Sequence, residues 1–133
     1  MYNKTILFIF LLLFFCNKFN AQNNSLYSLS VFTSNNKVNN LAKDKAILIK
    51  QGKHEFKIKC DCGEINVKCK KIFKLKIKKI NAVSFPCNDY LISIYEDILE
   101  NLNKTKKINI TSNSIIFCKK TTQLMAFKFI TTN

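Results

Sequence analysis

The sequence predicts an α+β domain, in which an antiparallel, curved or barrel-like sheet of about seven to eight strands packs against one α-helix. Apolar and charged residues alternate between residues 54 and 78, as in half-buried strands. Apolar residues then recur at helical spacing over about 89–102, and further alternating segments follow. The 133 residues of the chain are enough for one domain.

The alternation is clearest in three consecutive segments. The side predicted to be buried carries His54, Phe56, Ile58, Cys60, Ile65, Val67, Cys69, Phe73, Leu75 and Ile77. The opposite side carries seven lysines, here called the lysine face: Lys57, Lys59, Lys68, Lys70, Lys74, Lys76 and Lys78. An antiparallel meander with one buried and one wet face explains this pattern. Further strands are predicted at 26–32, 46–49, 107–111, 114–119 and 123–130.

One amphipathic helix is predicted at about 89–102. Its apolar face consists of Leu91, Ile94, Tyr95, Ile98, Leu99 and Leu102. Glu96, Asp97 and Glu100 occupy the other face, which we expect to be solvated. Asn88 or Asp89 suits the N-cap position, because a short polar side chain there accepts a hydrogen bond from a free backbone N–H.

We predict that residues 1–21 are a signal peptide and that residues 22–133 form a single domain. The unbroken apolar run at 6–15 has the ~7–15 residues of a signal peptide, whereas a membrane span needs ~20. We therefore expect cleavage after Ala21, no transmembrane span in the mature chain, and a secreted, periplasmic or cell-envelope location. A lipid anchor on Cys16 is the weaker alternative, because bulky Phe15 stands where a lipoprotein signal requires a small residue.

The chain is strongly basic, with 22 Lys+Arg against 8 Asp+Glu and a net charge of +14. Every one of the cations is lysine. Arginine binds phosphates and bases through two parallel hydrogen bonds, whereas lysine acts as a point charge, so no nucleic-acid partner is expected. The lysines form either a solvated surface or an anion-binding face, and the candidates for anion binding are the seven residues of the lysine face.

Five cysteines remain after the predicted cleavage: Cys60, Cys62, Cys69, Cys87 and Cys118. In an oxidising compartment they favour disulfides, and their odd number leaves at least one thiol. The alternative is a metal site of Cys60, Cys62, Cys69 and His54. Paired zinc ligands are usually separated by about two to four residues, and a single residue separates Cys60 from Cys62, so no metal or other cofactor is expected.

No arrangement of residues predicts catalysis. His54, the single histidine, lies on the apolar side of its strand and is interpreted as a core or edge residue. The spacing of Ser, His and Asp supports no catalytic triad, and two glycines are too few for a phosphate-binding loop. We therefore predict that the protein is not an enzyme.

The order of features over 54–130 resembles the META-domain family, which includes the HslJ-like heat-shock lipoproteins. In that family a cysteine-containing hairpin leads through alternating strands to a second cysteine, one helix and three closing strands. The corresponding segments here are Cys60-Asp61-Cys62-Gly63, Phe73-x-Leu75-x-Ile77-x-x-Ile80, Val83-Ser84-Phe85-Pro86-Cys87, the helix, and strands ending at Leu124-Met125-Ala126-Phe127.

The resemblance implies a disulfide from Cys62, or from Cys60, to Cys87. Cys69 and Cys118 then form a second bridge or remain buried thiols. It also implies a non-catalytic secreted or envelope domain with a structural or stress-related role. The alternative function is a secreted binding module whose lysine face docks an anionic surface, such as a glycan or lipid headgroups.

Overall fold

The computed structural model describes residues 25–34, 37–38 and 44–130, within which nine β-strands and one α-helix follow one another. The strands are β1 (Ser25–Ser34), β2 (Lys37–Val38), β3 (Ala46–Lys50), β4 (Glu55–Cys60), β5 (Gly63–Lys71), β6 (Leu75–Ser84), β7 (Lys107–Ile110), β8 (Ser114–Lys119) and β9 (Thr122–Phe129). The helix, α1 (Asp89–Lys104), connects β6 to β7. The predicted signal peptide, its cleavage site and Cys16 lie outside the described residues.

Eight of the strands form a closed antiparallel barrel. Their order is β1-β3-β4-β5-β6-β7-β8-β9, and β9 pairs in turn with β1, where Tyr27 lies opposite Phe129. The short β2 pairs with the end of β1. The predicted fold class is confirmed: a barrel-like antiparallel sheet with one helix in the described part of the chain.

The interior of the barrel is the hydrophobic core. Phe117 packs edge-to-face against Phe56 and Phe127, with ring centroids 6.4 Å and 5.9 Å apart. Other fully buried side chains are Leu29, Leu48, Ile58, Ile65, Ile98, Leu102, Ile115 and Met125. Full burial of such a side chain contributes about 1.5–3 kcal/mol, so the core supplies most of the stability of the domain.

The two ends of the barrel differ. The β3–β4, β5–β6 and β7–β8 turns (51–54, 72–74 and 111–113) meet at one end, here called the hairpin end. The β4–β5 and β8–β9 turns (61–62 and 120–121) lie at the other, here called the helix end. Helix α1 packs there against β1 and β8.

Helix α1 begins and docks through specific side chains. The Asn88 side chain accepts a hydrogen bond from the Leu91 N–H at 2.9 Å, so Asn88 is the N-cap. The helix continues to Lys104, beyond the predicted end, and Thr105 follows in an extended conformation. Buried Asn101 donates from Nδ2 to the Thr33 carbonyl oxygen at 2.8 Å and so ties α1 to β1.

A β-bulge at Lys78 changes which lysine of β6 lies beside Lys68. Lys68 of β5 pairs with Lys79, but pairing then resumes at Ile77, which leaves Lys78 without a partner on β5. Ile77 and Ile80 consequently both pack against the core, although two residues separate them. Lys79, rather than Lys78, therefore lies directly beside Lys68.

The prediction that Phe73 lies on the buried side of a strand is wrong. Strand β5 ends at Lys71 and β6 begins at Leu75, so Phe73 lies in the turn between them. Its side chain is 94% exposed and that of neighbouring Ile72 is 72% exposed. Phe73 is in register with Leu75 and Ile77, which favoured a strand, but the alternation is interrupted at Lys70-Lys71-Ile72-Phe73, where two lysines precede two apolar residues. The chain turns there, so these side chains are not directed to the core.

Gly63 provides a test of how closely α1 approaches the barrel. A Cβ on Gly63 would lie 2.7 Å from Tyr95 Cε2 and would also clash with the Val83 carbonyl oxygen. We expect Gly63→Ala to lower the free energy of unfolding by about 1–3 kcal/mol, because a backbone oxygen cannot move aside freely.

The matched control for this substitution is Gly52→Ala, in an exposed turn where a Cβ meets nothing within 4 Å. Urea denaturation of both variants measures the difference. Equal stability of the two variants would contradict the close contact at Gly63.

Candidate functional site

The residues of the lysine face lie on the outside of three neighbouring strands. Lys57 and Lys59 are on β4, Lys68 and Lys70 on β5, Lys76 and Lys78 on β6, and Lys74 is in the β5–β6 turn. All are exposed except Lys57, which is half-buried. The structure therefore brings the seven predicted residues to one side of the barrel.

Glutamates accompany part of the lysine face. Glu64 lies 4.0 Å from the Lys57 ammonium and 3.7 Å from that of Lys59, and Glu55 lies 3.9 Å from that of Lys68. Ion pairs of this kind contribute only about 0–1 kcal/mol to stability. They do lower the local positive charge, so this part of the face is close to an ordinary mixed-charge surface.

The rest of the lysine face is uncompensated. In the described part of the chain, no carboxylate lies within 4.0 Å of four of its members: Lys70, Lys74, Lys76 and Lys78. Lys70 is directly opposite Lys76 in the β5–β6 pairing. Like charges directly opposite each other are unfavourable, and binding of an anion would relieve that repulsion.

A cleft of about 420 Å³ extends the basic surface across the hairpin end. Its lining includes Lys50, Lys53 and Lys71, which the sequence analysis missed, together with Lys74 and Phe73. These residues meet because the β3–β4 and β5–β6 turns lie at the same end of the barrel. Half-buried His54, the last residue of the β3–β4 turn, also lines this cleft; it does not lie on the buried side of a strand as the alternation predicted.

The acidic residues lie mainly away from this cleft. All eight belong to the described part of the chain, and Glu55 is the one beside the hairpin end. The others lie in α1, in the turns of the helix end or on strand residues next to them: Asp44, Asp61, Glu64, Asp89, Glu96, Asp97 and Glu100. The barrel is therefore polarised, because lysines occur at both ends whereas seven of the eight acidic residues lie towards the helix end.

A disulfide joins Cys62, in the β4–β5 turn, to Cys87, just before α1, with Cα atoms 5.4 Å apart. This is one of the two pairings that the family resemblance implied. Beside it, the Phe85 N–H donates to the Cys62 carbonyl oxygen at 2.7 Å. Cys69 and Cys118 are buried and unbridged, so they are thiols and not a second disulfide.

Burial makes two of the remaining thiols hard to ionise. Desolvation raises the pKa of Cys60 to about 11, with a further contribution from the negative charge of Asp61. Burial likewise raises the pKa of Cys69 to about 11. Because the thiolate is the form that attacks disulfides and binds metals, both groups are poor nucleophiles and poor ligands near neutral pH.

The zinc alternative has no support in the geometry. Cys62 is consumed by the disulfide, and the described residues contain no group of three or more His, Cys, Asp or Glu side chains placed to hold a metal ion.

Over the same residues, no helix is long and apolar enough to cross a lipid bilayer.

Fold and surface together define the class of protein: a basic, disulfide-bonded β-barrel domain with one helix among its described residues and a polarised distribution of charge. No family model, no curated protein and no solved structure matches this chain.

The Cys62–Cys87 disulfide leads to a prediction about stability. The two cysteines are 25 residues apart, and we expect a Cys62→Ser/Cys87→Ser variant to lose about 3 kcal/mol of unfolding free energy, because the unfolded chain gains conformational freedom. Urea denaturation under non-reducing conditions measures the loss. Cys60→Ser, at a free and half-buried thiol nearby, is the control and should lose much less. A double variant as stable as this control would contradict a stabilising bridge.

Proposed function

We propose that the chain is a non-catalytic secreted or cell-envelope domain of the META type, with a structural or stress-related role. The observation that carries the proposal is the order of elements along the chain. Cys62 is followed by β5 and β6, Cys87, α1 and the closing strands β7, β8 and β9. A helix between the second cysteine and the closing strands is what the family resemblance requires.

The cysteine chemistry supports a location outside the cytosol. A disulfide persists in oxidising compartments and is generally reduced in the cytosol. Thiol–disulfide exchange also requires a thiolate, and Cys60, two positions before Cys62 in the sequence, has its pKa raised to about 11 by burial and by Asp61. The neighbouring thiol is therefore protonated at neutral pH and leaves the bridge intact.

Mass mapping of the native protein, with and without reduction, tests this proposal. We expect a mature chain that begins at Gln22; a chain that begins at a lipid-modified Cys16 would instead support the lipid-anchor alternative. A Cys62–Cys87 peptide pair should be present before reduction and absent after it. Recovery of a reduced cytosolic chain that still carries Met1 would contradict the proposed location and remove the support that the disulfide gives to the family resemblance.

A second candidate function is a binding module that docks an anionic surface through the lysine face. The observation that favours it is the convergence of uncompensated lysines from β5, β6 and two turns at the hairpin end, with most of the carboxylates elsewhere. Lysine ammonium groups act as mobile point charges, so they suit a repeated array of anionic groups better than one planar ligand.

Heparin chromatography tests this second function. We expect a Lys70→Ser/Lys74→Ser/Lys76→Ser variant to elute at lower salt than the native protein, with a salt dependence weaker by about one unit per lysine removed. The control, Lys45→Ser/Lys106→Ser/Lys119→Ser, removes the same charge from exposed sites at the helix end. If both variants elute together, net charge alone explains retention and the binding face is excluded.

A further inference from the structure

We propose that the hairpin tip, Ile72 and Phe73, inserts into an anionic lipid bilayer while the lysines around it bind the headgroups. The inference rests on the second candidate function and names its partner. It begins from exposure, because Phe73 at 94% and Ile72 at 72% are the two most exposed large apolar side chains in the described part of the chain. Two adjacent apolar side chains projecting from one turn form a contiguous surface that water solvates poorly.

Lysines surround the hairpin tip. Lys71 precedes it and Lys74 follows it in the chain, and Lys50 and Lys53 reach the same cleft from the β3–β4 turn. Lysine stems lie readily along an apolar surface while the ammonium group stays at the polar boundary. A shallow insertion therefore places the tip among the acyl chains and the ammonium groups at headgroup depth.

Ile72 distinguishes a bilayer from other polyanions. Phe73 alone is also compatible with a single-stranded nucleic acid, since an aromatic ring stacks on bases. Ile72 has no π system and no hydrogen-bonding group, so it adds nothing to base stacking or to sulfate binding. It does add apolar area to an insertion, and the presence of both side chains at the tip favours the bilayer.

The distribution of charge orients the approach. Seven of the eight carboxylates lie in α1, in the helix-end turns or beside them, and Glu64 among them is already close to Lys57 and Lys59. The field of an anionic membrane therefore attracts the hairpin end most strongly and presents the tip to the surface. Docking in this orientation also keeps α1 and the disulfide away from the lipid.

The absence of tryptophan from the sequence allows a local test. In a Phe73→Trp variant we expect tryptophan fluorescence to shift to shorter wavelength on phosphatidylcholine vesicles with about one third phosphatidylglycerol, and no shift with phosphatidylcholine alone. Soluble heparin should leave the emission unchanged. Phe85→Trp, at a 47% exposed position towards the helix end, is the matched reporter and should stay unshifted.

A second variant measures what the tip contributes. Ile72→Ser/Phe73→Ser should weaken partitioning onto the anionic vesicles about tenfold, with heparin elution and thermal unfolding unchanged. Val83→Ser, at a 56% exposed apolar site towards the helix end, should partition like the native protein. Any part of the chain that precedes Ser25 is the same in every variant, so differences in binding belong to the substituted positions.

The outcomes separate the two levels of the proposal. The insertion is contradicted if the lysine-face variant lowers heparin retention but the tip variant binds vesicles like the native protein. It is also contradicted if the native protein does not bind vesicles at all. In both cases the second candidate function is still supported. If the native protein shows neither specific heparin retention through the lysine face nor vesicle binding, both the second candidate function and the insertion are contradicted. A Phe73→Ser variant that loses oligonucleotide binding while vesicle binding is unchanged assigns the tip to single-stranded nucleic acid and overturns the bilayer as partner.

Discussion

Backbone hydrogen bonding between β1 and β9 converts an eight-stranded sheet into a closed barrel. The positions of the core residues, the lysine face and the turns all depend on that closure. Strand β1 pairs with β3 over Ser25–Ser28 and with β9 over Tyr27–Phe32, so both of its edges are used. Closure leaves neither β1 nor β9 at a free edge of the sheet, whereas β6 and β7 pair only through Leu75 and Ile108 in the described part of the chain. It also gives each strand an inner and an outer side, which keeps the apolar residues inside and the lysines outside.

Closure leaves two ends that have different roles. At the helix end, the Cys62–Cys87 bridge, the contact of Gly63 with Tyr95 and the docking of Asn101 are concentrated within a small region. The hairpin end lacks these constraints in the described part of the chain and carries the cleft lysines and the exposed tip. Stability and surface chemistry are therefore supplied by separate parts of the barrel, and substitutions in the tip leave the core contacts in place.

Period-two alternation predicted β4 and β5 well, because their apolar residues are buried or half-buried and alternate with more exposed polar residues as far as Lys70. Helical spacing and a capping asparagine likewise located α1. The turn at Phe73 was not predicted because no Gly or Pro marks it and because Phe73 is in register with Leu75 and Ile77. The interruption of the alternation at Lys70-Lys71-Ile72-Phe73 is the signal that could have located it. The bulge in β6 did leave a signal: Ile77 and Ile80 are an odd number of residues apart, and strict alternation cannot bury both.

The candidate site was predictable as a set of lysines but not as a surface. Composition alone cannot tell a solvated lysine from a binding one, and the structure shows lysines with and without a neighbouring carboxylate in the same face. Lys57, Lys59 and Lys68 lie beside glutamates, as on an ordinary surface. Lys70 and Lys76 lie opposite each other, and no carboxylate of the described residues is within 4.0 Å of either ammonium group. Which lysines are compensated depends on strand register and on which turns share an end. Strand register and the grouping of turns are properties of the closed barrel, and they cannot be predicted from residues that are adjacent in the sequence.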